Sequence, residues 1–179
     1  PGTYQLRVEA SGFSSQVPGA LAVLPGGKLM VGNRATHEVE VLDPSLPSGA
    51  ATVARTPLAS IPNDILVIGS VALVAGQTHG PDTNKVFELS LTSFAVTATR
   101  FANAGTDYVD LALAPPYLAV TCAGSGTVLI ADAATRALLA TLELAPAAGF
   151  APTATPQQAA FVTTGVGGAP TALWAVDNF

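Results

Sequence analysis

An all-β fold is predicted by three observations: short apolar runs ended by glycine or proline, segments that alternate with period two, and recurrence of the same series of runs along 179 residues. The pattern is clearest between Leu21 and Asp43 (LAVLPGGKLMVGNRATHEVEVLD). Leu21 and Val23, with the small Ala20 and Ala22, predict a first strand. Pro25, Gly26 and Gly27 end it, because proline fixes φ and glycine accepts positive φ, as a tight reversal requires. Leu29 to Val31 predicts a second strand. Asn33 to His37 is a polar loop, and Glu38 to Val41 alternates like a strand with one buried face. Asp43 and Pro44 stop it: the carboxylate accepts backbone N–H groups of the next turn, and proline cannot continue a central strand.

The same order recurs downstream. Second strands are expected from Lys28, Val71, Tyr117 and Gln158, and third strands at EVEVLD, KVFELS, TVLIAD and LWAVD. Their polar stops fall at Asp43, Ser90, Asp132 and Asp177. Fourth strands are expected from Ala51, Ala95 and Ala137. A period of about 44 residues carrying four short strands has the size of one β-propeller blade. The chain is therefore predicted to be a single β-propeller domain over residues 1–179. Its four four-stranded blades are expected near 17–58, 62–103, 107–145, and 150–179 with 1–12. In this phase the fourth repeat lacks an outer strand, and residues 3–10 (TYQLRVEA) form a strand without a blade. Pairing of 3–10 with 171–177 would complete the C-terminal blade, close the ring and remove two free sheet edges. Four inner strands around a narrow axis demand small side chains, which Gly19, Ala20, Ala22, Ala112, Ala114, Ala151 and Ala154 supply; Ile65 to Ile68 is the exception.

Residues 25–33 (PGGKLMVGN) with 38–43 (EVEVLD), and 127–142 (TVLIADAATRALLATL), resemble YVTN/NHL-type propeller repeats, which read P-D-G-K-x-x-Y-V-A-N followed by V-x-V-I-D-x-x-T. That resemblance implies the propeller fold. It departs in blade number, since such propellers usually have six to eight, so two chains pairing into a larger ring, or a longer protein, are alternatives. Residues 1–10 also resemble the last strand of a carboxypeptidase-regulatory-like sandwich, a rival account of the N-terminus.

Charged residues make up 11% of the chain against the usual ~25%. Contiguous exposed apolar surface follows, which marks a protein contact or membrane-proximal docking. The net charge of −5 and seven scattered basic residues argue against nucleic acid as a partner. The 21 uncharged residues from Leu111 to Ala131 are broken by Pro115, Pro116 and Gly124 to Gly126 at strand-turn positions, so strands rather than a transmembrane helix are expected. Cys122 is the one cysteine, which excludes an intrachain disulfide; its apolar neighbours predict a buried small side chain. Few lysines and many Ala, Thr and Gly lean towards an extracytoplasmic protein, periplasmic or secreted.

No catalytic or cofactor motif is present: G-x-S-x-G, H-E-x-x-H, Walker and G-x-G-x-x-G patterns are all missing. The propeller phase gathers Asn33, Arg34, His37, Gln77, His79 and Asp82 on one face with Asp64, Asp107 and Asp110. Asp64 and Asp110 are expected at matching positions, with Ala20 and Phe150 as counterparts. Such a set offers ligands for a divalent metal or a partner, but loop tips are also polar simply because their backbone is solvated. Trp174 and Phe87, expected in corresponding third strands, predict core packing, with stacking on a sugar or cofactor as the alternative. Three functions remain open. The first is a non-catalytic binding or scaffold propeller, an accessory subunit of an extracytoplasmic or membrane-associated complex that meets other subunits through an apolar patch. The second, which the resemblance allows, is an enzyme of the propeller lactonase or sugar-oxidoreductase kind with a metal or quinone at the channel mouth. The third is an extracellular glycan- or peptide-binding domain.

Overall fold

The computed structural model of the chain describes residues 18–47, 50–77, 85–144, 156–163 and 170–177. These hold fourteen β-strands and no α-helix. The first sheet consists of β1 (Pro18–Val23), β2 (Leu29–Asn33), β3 (Glu38–Leu42) and β4 (Thr52–Pro57). The second holds β5 (Ile61–Ile68), β6 (Val71–Gln77), β7 (Lys85–Ser90) and β8 (Val96–Arg100). The third holds β9 (Tyr108–Ala114), β10 (Tyr117–Cys122), β11 (Thr127–Asp132) and β12 (Leu138–Glu143), and the fourth β13 (Pro156–Thr163) and β14 (Pro170–Asp177). Every sheet is an antiparallel meander in chain order. The expected second, third and fourth strands of the first three repeats all form.

The turns obey the chemistry read from the sequence. Gly26 and Gly27 both take positive φ in the β1–β2 reversal. After the third strands, Asp43 Oδ1 accepts the Ser45 N–H at 3.0 Å, Ser90 Oγ accepts the Thr92 and Ser93 N–H groups, and Asp132 Oδ1 accepts those of Ala134 and Thr135. Pro115–Pro116, a cis bond, turns β9 into β10. No helix among the described residues is long and apolar enough to cross a membrane.

Each inner strand carries the same irregularity. The ladder skips one residue between Pro18 and Ala20, between Pro62 and Asp64, between Tyr108 and Asp110 in the partner of Thr121–Cys122, and between Pro156 and Gln158. A bulge at Gly19, Asn63, Val109 and Gln157 therefore marks the inner strand of every repeat. This corrects the fourth repeat: β13 is its inner strand and β14, which contains LWAVD, its second, one strand earlier than the sequence suggested. The sequence misled there because an alanine-rich inner strand and a true second strand share the same apolar alternation. Ala151, Ala154 and Phe150 lie outside the described residues, as does residues 3–10, one half of the expected closing pair.

The sheets stack face to face in chain order, with two apolar cores between the first three. Alternate residues of β6 separate them: Ala72 and Val74 face the first sheet with Met30, Val39, Val41 and Phe87, while Leu73 and Ala75 face the third with Tyr108, Leu111, Leu118 and Val120. Small residues are required where strands approach closely. A Cβ on Gly32 would lie 2.8 Å from Pro62 Cβ, and one on Gly105 2.6 Å from Cys122 Sγ. Phe87 is buried as expected, whereas Trp174 is 70% exposed and not a core residue. Its place on a second strand at the open side of the last described sheet accounts for the difference.

Candidate functional site

The loops that leave second strands lie at the same end of the sheets as the residues that enter inner strands. The structure brings Asn33, Arg34, Gln77, Asp64, Asp107 and Asp110 to that end, and engages most of them in holding sheets and turns together. Asn33 is buried; its Oδ1 accepts the Ala35 and Thr36 N–H groups at 3.0 and 3.3 Å, and its Nδ2 donates to Glu40 Oε1 at 3.4 Å. The Arg34 stem lies across the β1 bulge, where a Cβ on Gly19 would meet Arg34 Cγ at 2.5 Å. His37 is exposed in a positive-φ turn, and its carbonyl accepts the Leu58 N–H at 2.8 Å. His79 and Asp82 lie outside the described residues.

Asn63, which the sequence reading passed over, is the bulge residue of β5. Its Nδ2 donates to Gln77 Oε1 at 2.8 Å within its sheet and to the Tyr108 carbonyl at 3.1 Å in the next. Only the repeated bulge reveals its role. Asp107 adopts positive φ, and its carbonyl accepts the Ala123 N–H at 2.9 Å.

Asp64 and Asp110 occupy equivalent positions just after their bulges, as expected, but the fourth counterpart is Gln158 rather than Phe150. Asp64 Oδ2 accepts the Leu111 N–H at 2.8 Å, and Asp110 Oδ2 accepts the Ala159 N–H at 2.9 Å. Each carboxylate thus reaches from one inner strand to the backbone of the next. Burial pushes both carboxyls above the ordinary carboxylate value, and at Asp64 the neighbouring Asp110 charge adds to the rise. The backbone hydrogen bonds oppose the shift. Among the described residues, no three His, Cys, Asp or Glu side chains are grouped to hold a metal ion. Cys122 is buried, with its thiol pushed up to about 12 by desolvation. That thiol is a packing group, in line with its apolar neighbours.

A different surface emerges at the outer side of the third sheet. At one register position on the third strands stand Val41, Glu88 and Ile130. Val41 belongs to the core against which Phe94 of the next sheet packs. Glu88 meets Arg100 of its own sheet at 3.2 Å and Arg136 of the next at 3.9 Å. Phe94 and Arg136 sit in the same place in successive turns, each donating its N–H to the polar stop, Ser90 or Asp132. Ile130 instead lines a groove of about 220 Å³ with Tyr117, Leu142, Phe161 and Leu173. Beside it, Leu138, Leu139 and Leu142 on β12 are exposed, where the outer strands β4 and β8 carry mostly Thr, Ala and Arg.

No protein-family model matches the chain, and no curated protein matches it. Solved structures do. Raptor from Chaetomium thermophilum aligns with a TM-score of 0.70 at 14% identity, over 94% of this chain and 15% of that one. BamB from Moraxella catarrhalis aligns with a TM-score of 0.55 at 20% identity, over 90% of this chain and 47% of that one. The β-propeller domain of Cps50 (Swd1) from Myceliophteria thermophila aligns with a TM-score of 0.58 at 14% identity, over 81% and 44% respectively. The chain thus spans less than half the length of each. Together with the recurring bulged four-strand sheet, these likenesses show that the chain has the β-propeller fold, its sheets being successive blades.

Proposed function

We propose that this chain is a non-catalytic protein-binding propeller, an accessory or scaffold subunit that meets other protein subunits through an apolar surface. The observation that carries this reading is the outer edge of the third blade. Leu139 is 56% exposed, Leu138 and Leu142 are exposed beside it, and the apolar groove adjoins them. The outer strands β4 and β8 carry mostly Thr, Ala and Arg and one exposed valine each, Val53 and Val96, whereas β12 exposes three leucines; a leucine-rich edge beside an apolar groove matches a partner's apolar side chain. Among the described residues β12 is paired on one side only, and such an edge also offers backbone groups to an incoming strand. The low-lysine composition supports placing this subunit in an extracytoplasmic or membrane-associated complex, and the repeat sequences support a relative of the YVTN/NHL type.

The lactonase or oxidoreductase alternative draws no support from the described residues. Asp64 and Asp110, the carboxylates best placed at the blade ends, already accept inter-blade N–H groups. A photoreactive residue at position 139, introduced in the native host, tests the proposal. A discrete crosslinked protein that disappears with Leu142→Lys is expected; natural material that migrates as a free monomer with no crosslink at this edge would sink it.

A further inference from the structure

The first two seams between neighbouring blades close with the same backbone device and with different side chains. The turn after β7 runs from Ser90 to Phe94, and the turn after β11 from Asp132 to Arg136. In each, the fifth residue's N–H donates to the carbonyl of the first at 2.8 Å. Phe94 and Arg136 both sit at positive φ, 57° and 63°. Bulky side chains are uncommon in that region, so each is held there by the blade it packs on. Phe94 lies against the first blade: it packs on the core that holds Val41, and Thr56 Oγ1 donates to its carbonyl. Arg136 reaches the second blade, where its side chain is 7% exposed and its Nε stands 3.9 Å from Glu88 Oε2.

The sockets that receive these turns are register equivalents too. Val41 pairs with Met30 and Ala54, and Glu88 with Leu73 and Ala98. Thr56 and Arg100 hold the matching place on the outer strands, opposite Val39 and Val86. In the second seam Arg100 Nε donates to Glu88 Oε2 at 3.2 Å, so two guanidinium groups share one carboxylate. Arg136 Nε and Nη1 are buried and make no hydrogen bond among the described residues. Asp132 adds a weaker attraction from the head of the turn, its Oδ1 already holding the Ala134 and Thr135 N–H groups. The burial of Arg136 therefore depends on Glu88. The backbone does not distinguish the two joints; the side chains do.

We propose that Glu88 and Arg136 form a key that makes the turn of the third blade specific for the second blade. Seated on Val41, Arg136 would bury its charge without that carboxylate, and Phe94 seated on Glu88 would set a phenyl ring against a carboxylate. Such mismatches arise when a blade of one copy docks on the wrong blade of another, a common misassembly of repeat proteins. The pair disfavours that exchange, and discrimination is gained this way even where a buried ion pair adds little to stability. The key lies inside the row of blades, and the inference stands independently of the partner-binding role.

Urea denaturation and refolding of the full 179-residue chain test it. Glu88→Val leaves Arg136 buried without its counter-charge, and should lower the folded-to-unfolded ratio by roughly 100-fold. Arg136→Phe should lower it less, because Arg100 still holds Glu88. The double variant Glu88→Val, Arg136→Phe copies the first seam. It should be as stable as the parent, since a well-packed apolar pair replaces a buried ion pair at little cost. Refolded at high concentration, it should give more oligomer by light scattering than the parent does under the same conditions. Single losses that simply add in the double variant overturn the proposal. So does a double variant that fails to fold, or one that refolds to the parent's distribution of sizes at every concentration.

Discussion

Asp64 Oδ2 accepts the backbone N–H of Leu111 at 2.8 Å, joining the inner strands of the second and third blades. The strands it links have no ladder between them, so this carboxylate is a fixed polar tie across a seam otherwise made of apolar contacts. Truncation by Asp64→Ala leaves the Leu111 N–H without its acceptor, at a cost of about 1–3 kcal/mol. Asp64→Asn keeps an acceptor and relieves the burial of charge, so its loss in urea denaturation should be smaller. Equal losses for the two variants would contradict the tie.

The same carboxyls make stability depend on pH. Burial raises both Asp64 and Asp110. A raised acid holds its proton more tightly folded than unfolded; its contribution is fully present below the ordinary value of 3.8 and is lost as pH climbs through the folded value. Asp43 and Asp132 act in the opposite sense. Hydrogen bonds from Ser45 and from Thr135 hold them low, so their contribution is present above 3.8 and lost as pH falls through their folded values. The stability of the parent relative to an Asp64→Asn, Asp110→Asn double variant should therefore fall as pH rises above the ordinary value of 3.8 and level off once pH has passed both folded values. A difference that stays constant with pH would refute the assignment.

Gly105 is pressed against Cys122. A methyl group there would lie 2.6 Å from Sγ and 2.9 Å from Cβ. Gly105→Ala should cost about 1–3 kcal/mol through overpacking. Cys122→Ala removes the sulfur that the new methyl would strike, so the double variant should be more stable than the sum of the single losses implies. Simple additivity in denaturant titrations would show that the pair does not touch.

The Cys122 thiol, pushed up to about 12 by burial, stays protonated and enclosed at neutral pH. Alkylation by iodoacetamide followed by mass spectrometry should show no modification of the native chain and full modification in denaturant. Rapid native labelling would show an accessible thiolate.

Most of the fold could be read from the residues because each local signal has one physical meaning. Glycines at positive φ, Asp or Ser stops that accept their own turn's N–H groups, and two-residue alternation specify strands and reversals without tertiary information. What stayed hidden was what depends on register. Gln158 reads as the start of a second strand, since alternation does not reveal which strand of a blade it belongs to; only the skipped residue at Gln157 places it. The polar blade end was legible as a group, Asp64 and Asp110 as equivalents included. Their use as ties was not, because a carboxylate that grips a backbone N–H some 47 positions away leaves no mark in its own segment. Trp174 shows the same limit: a large aromatic on an alternating strand is buried only if another sheet follows.

The bulge that recurs at Gly19, Asn63, Val109 and Gln157 has a consequence for how such a chain tolerates change. Below it, side chains alternate between two neighbouring blades; deleting the extra residue would turn Asp64 or Asp110 to the opposite side and exchange the apolar sets that feed the two cores. Substitutions within a blade are matters of degree, but a lost or gained residue at this point rewires which neighbour the blade can join. Length variation is thereby kept out of the inner strands and left to the loops, as the differing β2–β3 and β6–β7 connections show, and the inner strands act as the ruler by which the repeat keeps its spacing.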